Sequence, residues 1–168
     1  GKILRSGLFE NLWVQPASGD AGGALGAALA AWHILLEAPR HADGIHDRMQ
    51  GAYLGPAYGN EYAEETLRKY RAPYEKMDSE AELCKRVAYL LGDGKVVGWL
   101  QGRMEYGPRA LCNRSILGDA RNPEMQKRLN LKIKYREGFR PFAPSVLEEK
   151  ASDYFQLEGT SPYMLLTV

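Results

Sequence analysis

The sequence predicts an α/β chain, with α+β as the other arrangement it allows. Three observations carry that prediction. Segments with helical apolar spacing alternate with short β-branched and aromatic runs. The stretch "ALGAALAAWHILLEA" has the small-residue composition of a helix that packs closely on a sheet. The apolar fraction of 45%, without low-complexity tracts or internal repeats, is that of a chain that folds.

Taken in order, "KILRSGLFENLWVQP" reads as a short strand, a loop and a second short strand closed by Pro16. Asp20, Gly22 and Gly23 form a tight turn, and Ala24 to Ala38 follow as a helix ended by Pro39. Residues 41–60 are turn-rich and mark a domain boundary. A charged amphipathic helix follows and stops before Pro73. The next helix takes Asp78 or Ser79 as its N-cap, carries Leu83, Val87, Leu90 and Leu91 on one face, and ends at Gly92 or Gly94. "KVVGWLQG" is a strand. Residues 122–136 form a helix with Pro123 in its first turn and Met125, Leu129 and Ile133 aligned. Pro141 and Pro144 make "FRPFAPSVLEE" an extended edge segment, and "KASDYFQL" is a short helix. The apolar "SPYMLLTV" reads as a buried strand. Both chain ends look internal to a longer protein, so a fragment is expected.

The net charge of +1 conceals an asymmetry. Between Trp99 and Ser145, ten basic residues face four acidic ones, a net +6, which leaves the remainder at −5. Such a local basic field in an otherwise acidic chain points to an anionic ligand; the competing explanation is a solvated basic face. Apolar runs are too short for a membrane span, and no signal-peptide pattern occurs. Cys84 and Cys112 are not marked as a pair, which fits a reducing cytoplasm.

Two segments concentrate the chemistry. "GRMEYGPRALCNRSIL" gathers Arg103, Arg109 and Arg114 on a loop broken by Gly102, Gly107 and Pro108, with Asn113 and Ser115 as neutral donors. Guanidinium forks match phosphate or carboxylate oxygens, and Glu105 could pin one of them. An Arg–Glu network that only staples the loop is the structural alternative. "KIKYREGFRPFAPS" adds Lys134, Arg136, Arg140 and Ser145. On an extended segment Lys134 and Arg136 share a face; on a continuing helix they diverge and become solvated charges. In "SGDAGG", Gly22 and Gly23 would let backbone approach a ligand, although the pattern is neither a Walker A loop nor a dinucleotide fingerprint. His33 on its apolar helix reads as a packed core histidine. His41, Asp43, His46 and Asp47 have only a superficial metal-ligand spacing, with no regular element to fix them. Cys112 stands among the arginines, but no histidine pairs with it and it is not assigned as a nucleophile.

"QPASGDAGGALGAAL", "VVGWLQGRMEYGPRALCNRSIL" and "NPEMQKRLNLKIKYREGFRPFAPSVL" together resemble the O-carbamoyltransferases that modify nodulation factors, cephem antibiotics and aminoglycosides. The match runs through nearly the whole chain, with one departure at Cys112, where the family pattern expects glycine. The resemblance implies residues 1–50 as the tail of an actin-like ATPase-fold domain, similar to threonylcarbamoyl-transferring enzymes. It implies residues 51–168 as the start of an incomplete YrdC-like twisted-sheet domain. It also implies a reaction in which carbamoyl phosphate and ATP give carbamoyl adenylate, whose carbamoyl group passes to the hydroxyl of a small-molecule or oligosaccharide acceptor. On that basis Lys134, Arg136 and Arg103 are expected at the catalytic centre. Arg109, Arg114, Ser115, Arg140 and Ser145 are expected on substrate phosphates, and Gly22 and Gly23 near the nucleotide. Asp20 matches a late aspartate ligand to iron(II), whose histidine ligands would lie upstream. The missing remainder of the protein would complete the site, so these 168 residues alone are expected to be inactive. No membrane and no nucleic acid is expected as partner. The alternatives are threonylcarbamoyl-adenylate synthesis for tRNA modification, or a non-enzymatic anion- or nucleic-acid-binding module. The second would call for aromatics interleaved with the charges on an exposed sheet.

Overall fold

The computed structural model describes residues 1–10, 12–157 and 160–166. It is a mixed structure of helices and one small two-stranded sheet, consistent with the α/β expectation, and it divides into two compact units.

The first unit comprises Gly1–Pro56, Arg103–Leu111 and Val146–Val168. Its first element is a helix, α1 (Lys2–Arg5), and not the strand expected there. The turn closes on itself: the Ser6 hydroxyl donates to the Ile3 carbonyl at 2.7 Å and its amide to that of Lys2 at 3.1 Å. A strand needs a neighbour to complete its ladder. No strand was assigned among the described residues of 6–16, so the expected second strand is absent too.

Helix α2 (Asp20–Ala30) starts four residues earlier than expected, with Gly19 at its N-cap, and continues as a π-helical turn over Ala31–Leu35. Gly22 and Gly23 therefore lie inside the first helical turn. A Cβ on Gly22 would sit 2.5 Å from the Ala17 carbonyl oxygen, so this glycine makes room for the chain's own backbone. None of the residues from Asp20 to Leu35 is buried, and Ile34 and Leu35 are 76% and 78% exposed. The expected close packing of this helix on a sheet is thus not found. His33 is not a core residue: it is half-buried, and its Nδ1 lies 2.9 Å from the Ala38 carbonyl oxygen, at the helix's C-terminal end.

The loop Arg103–Leu111 is held against residues 50–56 of the same unit. Gly55 N–H donates to the Met104 carbonyl (2.9 Å), Met104 N–H to Pro56 (2.9 Å) and Tyr106 N–H to Ala52 (2.6 Å). The unit closes with a 3-10 turn (Glu148–Lys150) that leads into α6 (Ala151–Tyr154), the short helix predicted there. Residues 161–166 are turn and irregular backbone and not the predicted strand; the end of that prediction, Thr167 and Val168, lies outside the described residues. Apolar composition alone does not make a strand where no edge is offered to it.

The second unit comprises Ala57–Gly102 and Cys112–Ser145. Helix α3 (Asn60–Lys69) ends ahead of Pro73, as its sequence requires. Helix α4 (Glu80–Gly92) is capped by Ser79, whose hydroxyl accepts the Glu82 amide at 3.2 Å, and stops at the expected glycine. Its predicted stripe is half-exposed, and no residue of α4 is buried. Strand β1 (Val97–Leu100) pairs antiparallel with β2 (Arg114–Leu117), in the register Val97 to Leu117 and Leu100 to Arg114. The second of these strands was not foreseen. Asn122 accepts the Glu124 amide at 2.9 Å and opens the turn into α5 (Met125–Arg128), which runs on as a π-helical turn over Leu129–Ile133. Met125, Leu129 and Asn130 are the buried residues here, while Ile133, expected on the same stripe, is 42% exposed. A Cβ on Gly118 would come within 2.9 Å of Met125 Cγ, so the end of β2 approaches α5 closely.

Candidate functional site

In the second unit the segment 122–142 builds the densest polar arrangement. The helix expected to reach Arg136 stops at Ile133, because Lys134 is its C-cap and Tyr135 has a left-handed φ of 48°. Lys134 and Arg136 therefore flank a sharp reversal. They occupy neither an extended face nor a continuing helix, so their spacing alone places them on no common face. A non-glycine residue in that conformation costs on the order of 1 kcal/mol and persists where surrounding contacts enforce it.

The enforcing contacts come from Asn130, which is fully buried. Its carbonyl accepts the Arg136 amide at 2.9 Å, and its Oδ1 accepts from Arg136 Nε at 2.7 Å. Its Nδ2 donates to the carbonyls of Arg140 (2.8 Å) and Gly138 (3.2 Å). One turn earlier on α5, Gln126 Nε2 donates to the carbonyls of Arg140 and Phe139, at 3.1 and 3.3 Å. Two side-chain amides thus tie down the returning loop. The Arg136 guanidinium carbon lies 4.9 Å from the Phe142 ring centroid, a cation–π contact.

Arg140 turns to the neighbouring acid: its Nε donates to Glu137 Oε2 at 2.8 Å, with both side chains about half exposed. Glu137's own backbone amide and the Arg140 guanidinium hold that carboxyl below its usual range. Lys134 is exposed at the helix end. Arg114 and Ser115 lie on β2, opposite Leu100 and Trp99 respectively. The exposed Ser145 has its Oγ 3.7 Å from Cys112 Sγ. Cys112, where the resemblance leads one to expect glycine, has φ of 81°, a conformation that favours glycine.

In the first unit, Arg103 donates from Nη1 to the Gly55 carbonyl at 3.3 Å, and Arg103 and Arg109 are both exposed. Glu105 is 2% exposed. Its Oε1 accepts the Leu111 amide at 2.6 Å, and Tyr53 Oη donates to the Leu111 carbonyl at 3.1 Å, so Glu105 and Tyr53 both hold the loop at Leu111. The Tyr106 hydroxyl donates to the Ala21 carbonyl. At the start of α2, Gly23 N–H is taken by the Gly19 carbonyl at 2.9 Å, and the Cβ position of Gly23 faces open space.

Asp20 is the exposed first residue of α2. Among the described residues, no group of three or more His, Cys, Asp and Glu side chains could hold a metal ion. On its own this carboxylate cannot hold an iron ion, which needs several ligands. The His46–Asp43 pair is a local turn: Asp43 Oδ1 accepts the amides of His46 (2.8 Å) and Ile45 (2.9 Å), and its Oδ2 lies 2.6 Å from His46 Nδ1. The two amides, chiefly that of His46, and then the imidazole lower the Asp43 carboxyl to about 2.

Asn130, Gln126 and Phe142 were missed from the sequence, as was Tyr53. A signal for the first existed: in "MQKRLNLKI", Gln126 and Asn130 are amides four residues apart, and Asn130 adjoins the apolar position Leu129.

Comparison with known proteins bears on what this arrangement serves. Residues 1–29 match the family model described as Carbamoyltransferase N-terminus, and residues 88–168 that described as Carbamoyltransferase C-terminus. An uncharacterized protein of Synechocystis sp. is 56% identical over 168 residues, covering 99% of this chain and 27% of its own length. Nodulation protein NolNO of Sinorhizobium fredii is 47% identical over 172 residues, covering 100% of this chain and 24% of its own length. Nodulation protein NolO of Bradyrhizobium diazoefficiens is 45% identical over 172 residues, covering 100% and 30%. The chain thus spans 24% to 30% of the length of these relatives.

Proposed function

The chain belongs to the carbamoyltransferase family, and from that premise we propose that the whole protein transfers a carbamoyl group to an acceptor hydroxyl by way of carbamoyl adenylate. The observation that carries the proposal is the held guanidinium of Arg136 within a segment of net positive charge. Carbamoyl phosphate, ATP and one water would give carbamoyl adenylate, pyrophosphate and phosphate. The acceptor oxygen would then attack the carbamoyl carbon, and AMP would leave. Chemistry of this kind brings several phosphate groups into one place, and it depends on oriented cations more than on a side-chain nucleophile.

Within this proposal Arg136 binds a phosphate as a fixed fork, and Lys134 and Arg103 are further cations that take part in catalysis. Arg109, Arg114, Ser115, Arg140 and Ser145 contact substrate phosphates, with Arg140 offering the part of its fork that Glu137 does not hold. Residues 1 to about 50 would close an actin-like domain, and the rest would open a YrdC-like one. The acceptor is a small-molecule or oligosaccharide hydroxyl. Two free cysteines, Cys84 and Cys112, suit a cytoplasmic setting. Among the described residues no helix is long and apolar enough to cross a membrane.

The test uses the full-length protein and follows pyrophosphate release from ATP in the presence of carbamoyl phosphate. Release that depends on carbamoyl phosphate is expected, and its absence would refute the proposal. The isolated 168-residue chain should show no carbamoyl transfer under the same conditions; robust turnover would show that it holds a complete site.

A further inference from the structure

We infer that Asn130 and Phe142 are positioning residues for Arg136, setting which edge of its guanidinium meets a phosphate. This inference rests on the proposal that Arg136 binds a substrate phosphate.

A guanidinium can grip an oxyanion side-on, through Nε and one Nη, or end-on, through both Nη groups. Asn130 Oδ1 takes the Nε hydrogen at 2.7 Å, which uses up the side-on edge. Phe142 lies 4.9 Å from the guanidinium carbon and backs one face of the plane. An end-on fork remains.

Asn130 is suited to this role because it is itself fixed. It is fully buried, and its side-chain nitrogen is held by the carbonyls of Gly138 and Arg140. Its carbonyl also accepts the Arg136 amide, so backbone and side chain of the arginine are located by the same residue. The left-handed Tyr135 between them is the reversal that brings both contacts onto Asn130. A flexible surface arginine would lose rotamer freedom on binding; one held at Nε and stacked on a ring has lost much of it beforehand.

The experiment compares Arg136→Ala, Asn130→Ala, their double variant, Asn130→Asp and Phe142→Leu in the full-length protein. Pyrophosphate release is measured as carbamoyl phosphate and ATP are varied in turn, with circular dichroism and thermal melting as the check on folding. Asn130→Ala should raise the KM of one phosphate-bearing substrate tenfold or more. Added to Arg136→Ala, it should cause no further change in that KM, because it acts through the arginine. Asn130→Asp keeps an acceptor for Nε but loses the donor to the Gly138 and Arg140 carbonyls, so its KM should fall between those of Asn130→Ala and the parent.

A KM unchanged in Asn130→Ala would overturn the inference. So would a loss that adds in full to that of Arg136→Ala, which is the mark of a merely structural residue. If Asn130→Ala fails to fold, Phe142→Leu carries the test: it keeps apolar volume, removes the aromatic face, and should raise the same KM at least threefold. No rise would overturn the inference. Should Arg136→Ala itself leave kcat and KM unchanged, the phosphate proposal is what fails.

Discussion

The segments around α2 and α5 are both helices that run into a π-helical turn, yet they end in opposite ways. After α5 the chain reverses at Tyr135 and returns beneath Gln126 and Asn130, so the helix end, the loop and the arginine form one hydrogen-bonded piece. After α2 the chain leaves with Trp32, Ile34, Leu35 and Leu36 all more than half exposed. The difference lies in which groups each helix offers. The side-chain amides of exposed Gln126 and buried Asn130 satisfy carbonyls of the loop, whereas the α2 segment offers His33 near the Ala38 carbonyl and otherwise mostly alanines, glycines and leucines. Helices that are apolar on every side belong to the interiors of large proteins, and α2 has that composition without that burial here. Local polar closure makes a segment self-sufficient; apolar composition alone does not.

The largest expected effect falls on the self-sufficient segment. Arg136→Ala in the full-length protein should lower pyrophosphate release about a hundredfold or more, roughly 2.7 kcal/mol of transition-state stabilisation, while the protein stays folded with a lowered melting temperature, because the buried Asn130 Oδ1 loses its partner. Unchanged turnover would remove Arg136 from the site.

Next comes the loop of the first unit. Glu105→Ala would leave the Leu111 amide without its 2.6 Å acceptor, and burying an unmatched polar group costs roughly 1–3 kcal/mol. Denaturant unfolding would read that cost, and a change under a few tenths would mean that the loop does not depend on Glu105.

Gly118→Ala places a methyl within 2.9 Å of the buried Met125 and should destabilise by about 1 kcal/mol or more through overpacking. Cys112→Gly should act in the other direction. It relieves a φ of 81° and should raise stability by up to about 1 kcal/mol, offset in part by the entropy of an added glycine. A loss of stability would show that the Cys112 contact with Ser145 matters more than the backbone conformation.

The smallest effects belong to exposed groups. Asp119 is held at about 2, chiefly by the Arg121 side chain and then its amide. A carboxyl depressed in the folded state stabilises above its ordinary value near 3.8 and loses that contribution as pH falls toward 2. An NMR titration should find the Asp119 midpoint below the ordinary aspartate range; a midpoint near 3.8 would mean that the turn is not formed. On α2, Ile34→Lys or Leu35→Lys should change the stability of the isolated chain by less than about 0.5 kcal/mol, as for exposed positions generally. A larger cost would show that the helix is packed after all.

What could be read from the sequence follows the same division. Elements fixed by local chemistry were legible: the Ser79 cap and glycine stop of α4, the end of α3 before Pro73, and strand β1; the helix expected from residue 122, with Pro123 in its first turn, starts instead at Met125. Elements that depend on partners were not. The strands expected at both ends and the sheet packing of α2 were read from apolar composition, which does not say whether a partner is present. Strand β2 was hidden because its arginine and serine suggested only ligand chemistry, although they also pair with Leu100 and Trp99. At the candidate site the cations stood out by charge. The residues that aim one of them did not, because Asn130 and Phe142 carry no charge and meet Arg136 only through the reversal at Tyr135.

If these cations serve carbamoyl phosphate and ATP, pyrophosphate release by the full-length protein depends on that pair of substrates. Carbamoyl phosphate with ATP should release pyrophosphate, and threonine with bicarbonate and ATP should not. Release from ATP only when threonine and bicarbonate replace carbamoyl phosphate would mean that these cations serve threonylcarbamoyl-adenylate synthesis instead.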